Sequence, residues 1–151
     1  MAQDDGDSED FMSAPDYGRS LTGLGINLLV RDVTATLDFL RGVFGLAPVY
    51  ANKDFAVLAH GGHQCMLHGD HTYHSNPLLG LTGDGALRGA GIEIRLYDID
   101  PDDAEARARA RGDHVLQAST DKPHGLRECF LVDPDGYVWV PSRHLPPESD
   151  A

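Results

Sequence analysis

The chain has 151 residues, a hydrophobic content of 41% and a formal net charge of −12. This length and hydrophobic content are typical of one domain with its own core. The acidic excess argues against nucleic acid as a partner, because phosphate binding needs clustered Lys and Arg. No apolar run is long enough for a membrane span and the first residues form no secretory signal, so the sequence predicts no membrane partner and a cytoplasmic location.

The beginning of the chain divides into a tail and a strand. Residues 1–20 are polar and acidic without periodicity, which predicts a disordered tail. From Gly25 to Val33 apolar residues alternate with others, which predicts a strand with two different faces. A similar pattern recurs from Gly91 to Ile99, and an internal repeat of this kind indicates two related halves.

The same series of elements follows each copy of the repeat. Asp32 can cap a helix that ends at Gly45, and a second helix is expected between Pro101 and Gly112. Three strands are predicted after each helix, at residues 48–51, 55–59 and 64–68 in the first half and at residues 114–118, 126–132 and 137–141 in the second. The pattern therefore predicts an α+β fold of two βαβββ modules.

These elements define the expected domain organisation. After the tail, one ordered domain is expected over residues 21–145. It consists of a first module over 21–75, a linker over 76–89 and a second module over 90–145. Residues 146–151, which follow two prolines, are expected to form a short second tail.

Two further features indicate a family. Each repeated strand ends in an Asp before its helix, and the second module closes on the turn Asp133-Pro134-Asp135-Gly136. Together with the repeat, these features resemble the vicinal oxygen chelate superfamily, which includes the glyoxalases, the extradiol dioxygenases and the bleomycin resistance proteins. The resemblance covers roughly residues 22–143. The segment from Lys122 to Glu128, which runs into that turn, is similar to the bleomycin-resistance-like branch. The resemblance implies a curved sheet of eight strands around a cavity, four strands from each module, usually in a homodimer.

The resemblance also assigns positions for a metal. Metal-using relatives place a His at the start of the first strand of each half and a carboxylate on the last strand of each half. Those positions correspond here to Gly25, Gly91, Met66 and Val140. None offers a good ligand for a hard cation, because glycine and aliphatic side chains have no donor and a thioether is too soft. The resemblance therefore implies a member without the usual metal site and without a cofactor.

Polar residues lie two residues further along the strand from three of those positions. Two residues along a strand the side chain returns to the same face, which predicts that Asn27, Glu93 and His68 face the cavity, with Arg95 a further step beyond Glu93. Three roles follow: ligand binding through hydrogen bonds, proton transfer by His68 and Glu93, or a displaced divalent metal site. The structural alternative is that Glu93 and Arg95 form a simple ion pair and Asn27 satisfies a backbone group.

Four more residues have predicted places. Tyr73, on the long connection between the halves, is free to close over a pocket, and His124 and Arg127 could line the cavity mouth. A structural pairing of Arg127 with Glu128 is the alternative for that arginine. Trp139 alternates with Val138 and Val140 and is therefore predicted to face the core.

The predicted function is metal-independent binding of a small organic molecule, such as sequestration of a drug or metabolite. The alternative is a lyase, isomerase or dioxygenase-like enzyme that uses His68 and Glu93 as acid and base or as displaced metal ligands. A third possibility is a structural or regulatory partner without a ligand. Glu93 and Arg95 in one cavity would favour a polar or zwitterionic ligand. The sequence contains no phosphate-binding loop and no supported nucleophile motif.

Overall fold

The computed structural model describes residues 11–72 and 77–148, which contain three α-helices and eight β-strands. The helices are α1 (Ala14–Ser20), α2 (Val33–Phe44) and α3 (Pro101–Arg111). The strands are β1 (Asn27–Val30), β2 (Pro48–Ala51), β3 (Phe55–His60) and β4 (His63–Gly69), then β5 (Glu93–Tyr97), β6 (His114–Asp121), β7 (Leu126–Val132) and β8 (Val138–His144). Short 3₁₀ turns at Asp70–Thr72 and Pro77–Leu81 lie between the modules. The predicted α+β fold of two βαβββ modules is confirmed.

Each module forms its own four-stranded sheet. The strand orders are β1-β4-β3-β2 and β5-β8-β7-β6, and only the pairs β1–β4 and β5–β8 are parallel among the described strands. Leu28 and Val30 of β1 point into the core, as the alternating pattern predicts. Ile26 and Ile92 are exposed and precede the first paired residues, so both strands begin later than the pattern suggested.

The two long helices begin and end where their caps predict. The Asp32 carboxylate accepts a hydrogen bond from the Ala35 backbone N–H, and Gly45 ends α2 in the left-handed conformation. Asp100 caps α3 through the backbone N–H of Asp102, and Gly112 ends it in the same way. No helix in the described ranges is both long and apolar enough to cross a lipid bilayer.

One hydrophobic core spans both modules. The rings of Phe44 on α2 and Trp139 on β8 lie 6.3 Å apart, and the indole is 1% exposed. The Arg107 Nε–H on α3 donates to the Val43 carbonyl on α2 at 3.0 Å. Trp139 therefore faces the core, as predicted, and the helices hold the modules together.

The turn after β7 is organised by a buried carboxylate. Asp133 accepts hydrogen bonds from the backbone N–H groups of Asp135, Gly136 and Tyr137, and from Trp139 Nε1 at 3.0 Å. Burial nevertheless raises the pKa of Asp133, because it disfavours the charged form. The Asp-Pro-Asp-Gly sequence thus ties the last hairpin to the core.

A buried arginine joins the connection between the modules to both of them. Arg88 is 4% exposed and forms two hydrogen bonds to the Asp70 carboxylate, at 2.7 and 2.6 Å. It also donates to the Leu29 carbonyl at 3.0 Å and lies 3.8 Å from Asp135. The phenolic O–H of Tyr137 donates to the same Leu29 carbonyl at 2.9 Å. The end of β1 is therefore fixed to the second module.

The N-terminal segment differs from its prediction. Residues 1–10 lie outside the described part of the chain, but α1 occupies part of the segment expected to be disordered. Ser13 caps α1, and Tyr17 is 7% exposed with its ring 5.9 Å from that of Phe55. The prediction of a tail over residues 1–20 is wrong for these residues, because a buried ring outweighs their polar composition.

Candidate functional site

A cavity of about 440 Å³ lies between α1 and the first sheet. Most of its lining consists of aromatic and apolar side chains, with a few polar groups among them. This is the composition typical of sites for small organic molecules, and the volume falls within the range of such sites, about 300–1,000 Å³. The lining residues that matter for the chemistry are Phe11, Tyr17, Tyr50, Phe55, Asp54 and His68.

Two of the predicted site residues meet beside this cavity. β1 and β4 are parallel and in a register that places Asn27 opposite Met66, two residues before His68 on β4. The His68 Nδ1 lies 2.5 Å from the Asn27 Oδ1, and the His68 ring centroid is 4.6 Å from that of Phe55. The structure therefore brings Asn27 and His68 together on the cavity side of the first sheet.

This contact defines the chemical state of His68. Burial lowers the pKa of His68 below its usual value, so the ring is neutral near pH 7. Because the Asn27 oxygen can only accept, this contact favours the tautomer with the ring proton on Nδ1. His68 is thus an uncharged polar group on a lining that is mainly aromatic and apolar.

The other predicted residues form a separate cluster on the second sheet. Arg95 on β5 donates to Glu93 at 2.9 Å and also to Glu128 on β7, which is 2% exposed. His124 Nε2 lies 3.3 Å from the Glu128 carboxylate. Glu93 and Arg95 do form the predicted ion pair, but the more buried partner of Arg95 is Glu128.

The carboxylate at the centre of this cluster remains charged. Burial opposes ionisation of Glu128, but hydrogen bonds from Arg95 and His124 outweigh it and hold the pKa of Glu128 below its usual value. The cluster therefore contains two carboxylates, one guanidinium and one imidazole. It is a charge network on a sheet face, and its members are not among the residues that line the cavity of the first sheet.

Arg127 does not occupy its predicted place. Adjacent residues of a strand point to opposite faces, so Arg127 faces α3 whereas Glu128 faces away from it. Arg127 forms two hydrogen bonds to Asp102 on α3, at 2.7 and 2.8 Å, and one to Asp121 at 2.9 Å. Both the cavity-mouth position and the alternative pairing with Glu128 are therefore wrong. Tyr73, the other predicted contact, lies outside the described residues.

The residues present do not fit the divalent cation that the family's metal-using members hold. At the four corresponding positions, Gly25, Gly91, Met66 and Val140, the side chains offer no oxygen or nitrogen donor. Within residues 11–72 and 77–148, no group of three or more His, Cys, Asp or Glu is arranged to hold a metal ion.

Several residues of the cavity were missed by the sequence reasoning. Phe11 and Tyr17 were assigned to the tail, although Ser13-Ala14-Pro15-Asp16 is a helix start: the Ser13 side chain accepts from the Asp16 N–H, and Pro lies in the first turn. Asp54 had no local signal, because its place at the cavity depends on the turn between β2 and β3.

A second cavity of about 510 Å³ lies at the C-terminal end of α1. It is bordered by the segment from Ser20 to Ile26 and by the start of β4. Gly23, Gly25 and Gly62 are part of this border, and burial raises the pKa of the Cys65 thiol there to about 11. This cavity has fewer aromatic rings on its lining than the one beside His68 and therefore offers less surface for stacking.

The comparisons with known proteins agree with this architecture. A family model described as the Glyoxalase/Bleomycin resistance protein/Dioxygenase superfamily matches residues 24–140. No curated protein matches the chain significantly.

Solved structures share the fold. A glyoxalase-related enzyme from Fulvimarina pelagi is 20% identical with a TM-score of 0.64, and the match covers 82% of this chain and 88% of that one. A glyoxalase/bleomycin resistance protein/dioxygenase family enzyme from Burkholderia phytofirmans is 19% identical with a TM-score of 0.64, covering 80% and 97%. TioX from a Micromonospora species is 25% identical with a TM-score of 0.57, covering 82% and 99%.

Proposed function

The chain belongs to the Glyoxalase/Bleomycin resistance protein/Dioxygenase superfamily, and from this premise we propose that it binds a small organic molecule without a metal, in the manner of the bleomycin-resistance-like branch. The observation that carries the proposal is the cavity of about 440 Å³ between α1 and the first sheet. Its aromatic and apolar walls favour an organic ligand, because burial of apolar surface drives association.

His68 supplies the polar contact that orients the ligand. Its Nδ1 is held by Asn27, so the ring is fixed in one orientation on the cavity lining. A half-buried, oriented polar group within an apolar wall distinguishes ligands that carry a matching polar group from those that do not. Asn27 is thus a positioning residue for His68.

The geometry favours binding over acid–base catalysis by His68 and Glu93. Proton transfer by two groups requires both within hydrogen-bond reach of one substrate. In this structure His68 is bonded to Asn27 in the first sheet, whereas Glu93 is bonded to Arg95 in the second. The proposed function therefore does not include acid–base catalysis by His68 and Glu93.

A ligand screen tests the proposal. We expect a thermal-shift screen of antibiotics and metabolites with the full chain to find a compound that raises Tm and is recovered unchanged by mass spectrometry. His68→Ala should abolish that rise, whereas His114→Ala, at an exposed position on β6, should leave it intact. Turnover of the compound, or equal rises in both variants, would contradict the proposal.

Elemental analysis tests the metal-independent part. Protein purified without chelator should contain no stoichiometric divalent cation. A cation bound at one per chain and lost in both Glu93→Ala and His68→Ala would overturn this part of the proposal and revive the displaced metal site.

We also propose a homodimer. It is supported by apolar side chains that remain exposed next to the strand starts, among them Leu24 at 93% and Ile92 at 54% exposure. Light scattering coupled to gel filtration should give twice the chain mass, and a strictly monomeric mass would contradict the dimer.

A further inference from the structure

Four aromatic rings form a continuous wall on the cavity of the first sheet. The aromatic wall consists of Phe11, Tyr17, Tyr50 and Phe55. Phe11 stacks on Tyr50 with ring centroids 4.3 Å apart and planes inclined by 14°, and it lies 5.4 Å from Tyr17. Phe55 lies 5.9 Å from Tyr17 and 6.2 Å from Tyr50. Two of the four rings come from the segment before β1, so that segment is part of the cavity.

The hydroxyl oxygens of the wall are engaged by neighbouring amides. The Tyr17 O–H donates to Gln64 Oε1 at 3.4 Å, and Asn52 Nδ2 donates to the Tyr50 oxygen at 3.0 Å. The wall therefore offers a ligand mainly the faces and edges of its rings. A ring face carries the negative part of the aromatic quadrupole, which attracts a cation held against it.

The charged group on the cavity lining is negative, like the faces of the aromatic rings. Asp54 is the carboxylate among the lining residues, and none of the lining residues that the structure describes is Lys or Arg. Its Oδ1 lies 2.6 Å from Nε2 of His71, and its side chain is 44% exposed, so it can turn toward a ligand. His68 is neutral in this setting, because burial lowers its pKa. The electrostatics of the cavity therefore favour a positive ligand.

The guanidinium that could have reversed this preference lies elsewhere. Arg95 is held on the second sheet between Glu93 and Glu128. The expectation of a polar or zwitterionic ligand depended on Glu93 and Arg95 facing the same cavity as His68, and they do not line it.

We infer that the ligand of this cavity is a flat organic cation, such as an N-alkylated aromatic heterocycle, whose ring packs against the aromatic wall and whose positive nitrogen lies near Asp54. This inference rests on the proposed function and names its ligand class. The wall supplies stacking and cation–π attraction, and Asp54 supplies the counter-charge.

Three probes of nearly equal shape and different charge test the inference. Isothermal titration of the full chain compares the cation 1-methylquinolinium with neutral 1-methylnaphthalene and with anionic 1-naphthoate. We expect the cation to bind about tenfold more tightly than the neutral probe, which is the size of a cation–π contact in a partly desolvated site. We expect the anion to bind more weakly than the neutral probe.

Matched variants assign the effect to residues. Asp54→Asn should remove most of the preference for the cation over the neutral probe, whereas Asp38→Asn, at an exposed site on α2, should keep it. Tyr50→Leu should weaken both probes, whereas Phe130→Leu, on β7 of the second sheet, should weaken neither. Circular dichroism and the Tm of each variant confirm that it is folded.

The outcomes separate this inference from the proposed function. If the neutral or anionic probe binds as tightly as the cation, and His68→Ala abolishes that binding, the charge inference fails while the proposed function stands. If Asp54→Asn leaves the cation preference unchanged, the inference also fails. If none of the three probes binds, the inference fails, and the proposed function fails with it when the thermal-shift screen also finds no ligand.

Discussion

Replacing Arg88 with Met should destabilise the protein more than replacing an exposed arginine with Met. The side chain is 2% exposed, and its removal takes two hydrogen bonds from Asp70 and one from the Leu29 carbonyl. Breaking a buried charge pair costs about 3–5 kcal/mol. Two features point to the lower end: Asp70 is 28% exposed and can be rehydrated, and Arg88 Nε is buried without a hydrogen-bond partner among the described residues.

We therefore expect Arg88→Met to lower the free energy of unfolding by about 3 kcal/mol. For a chain of this size that corresponds to a fall in Tm of roughly 6–12 °C. Urea unfolding followed by circular dichroism gives the first quantity and a thermal melt the second. Arg41→Met, at an exposed site on α2, is the matched control and should change the free energy by less than about 0.5 kcal/mol.

A double-mutant cycle makes the test specific. Asp70→Asn combined with Arg88→Met should cost less than the sum of the two single changes, with a coupling of at least about 1 kcal/mol. Additive losses of unfolding free energy in the double mutant would refute the proposed role of the Arg88–Asp70 pair. A loss for Arg88→Met no larger than that for Arg41→Met would refute it as well. In that case the connection between the modules would not depend on this buried arginine.

Three further predictions concern buried ionisable groups. Asp133→Ala leaves the backbone N–H groups of Asp135 and Tyr137 and the Trp139 indole without an acceptor, whereas the Gly136 N–H keeps the Asp133 carbonyl. It should cost at least about 3 kcal/mol in urea unfolding, since each unsatisfied group costs about 1–3 kcal/mol; a loss below about 1 kcal/mol would be contrary to this. Because burial lowers the pKa of His68, the unfolded chain binds this proton at higher pH than the folded one, and stability should fall as the pH drops below 6.5. In thermal melts between about pH 5 and pH 8, the fall in Tm toward low pH should be smaller for His68→Gln than for the unchanged chain. Equal falls in Tm would argue against a lowered pKa of His68. Burial raises the pKa of Cys65 to about 11 and that of Cys129 to about 12, so iodoacetamide at neutral pH should label both slowly in the folded protein and rapidly in urea; rapid labelling of the folded chain would be evidence against this burial.

The parts of the fold set by local sequence could be predicted from it. The helix over 33–44 has its own start and stop signals in Asp32 and Gly45, and the repeated strand carries its alternation within a few residues. Trp139 was placed in the core by the same alternation. Such features depend on neighbours along the chain, which a sequence displays directly.

The parts set by distant contacts could not be predicted in the same way. α1 is short and polar, so its own sequence predicts it poorly. Its Tyr17 packs against Phe55, which lies far away in the chain. Arg127 is a different case, because Cys129 and Leu131 alternate with it and both belong to the core. That alternation already assigned Arg127 to the helix side of β7, and the sequence reasoning overlooked it.

The candidate site shows the same division. The prediction that Asn27 and His68 face the same side followed from strand parity, but the separation of His68 from Glu93 depends on how the two sheets are arranged. Glu128 became a partner of Arg95 only through the register of β5, β8 and β7. Sequence reasoning therefore found the polar residues of both sheets but assigned them to one cavity.

The central claim is metal-independent binding of a small molecule beside His68. Its most direct test is isothermal titration of a compound from the thermal-shift screen, with and without EDTA, against the unchanged chain and His68→Ala. The account predicts one affinity in both buffers, its loss in His68→Ala and recovery of the compound unchanged. Binding that disappears with EDTA, or that persists undiminished in His68→Ala, would contradict the account.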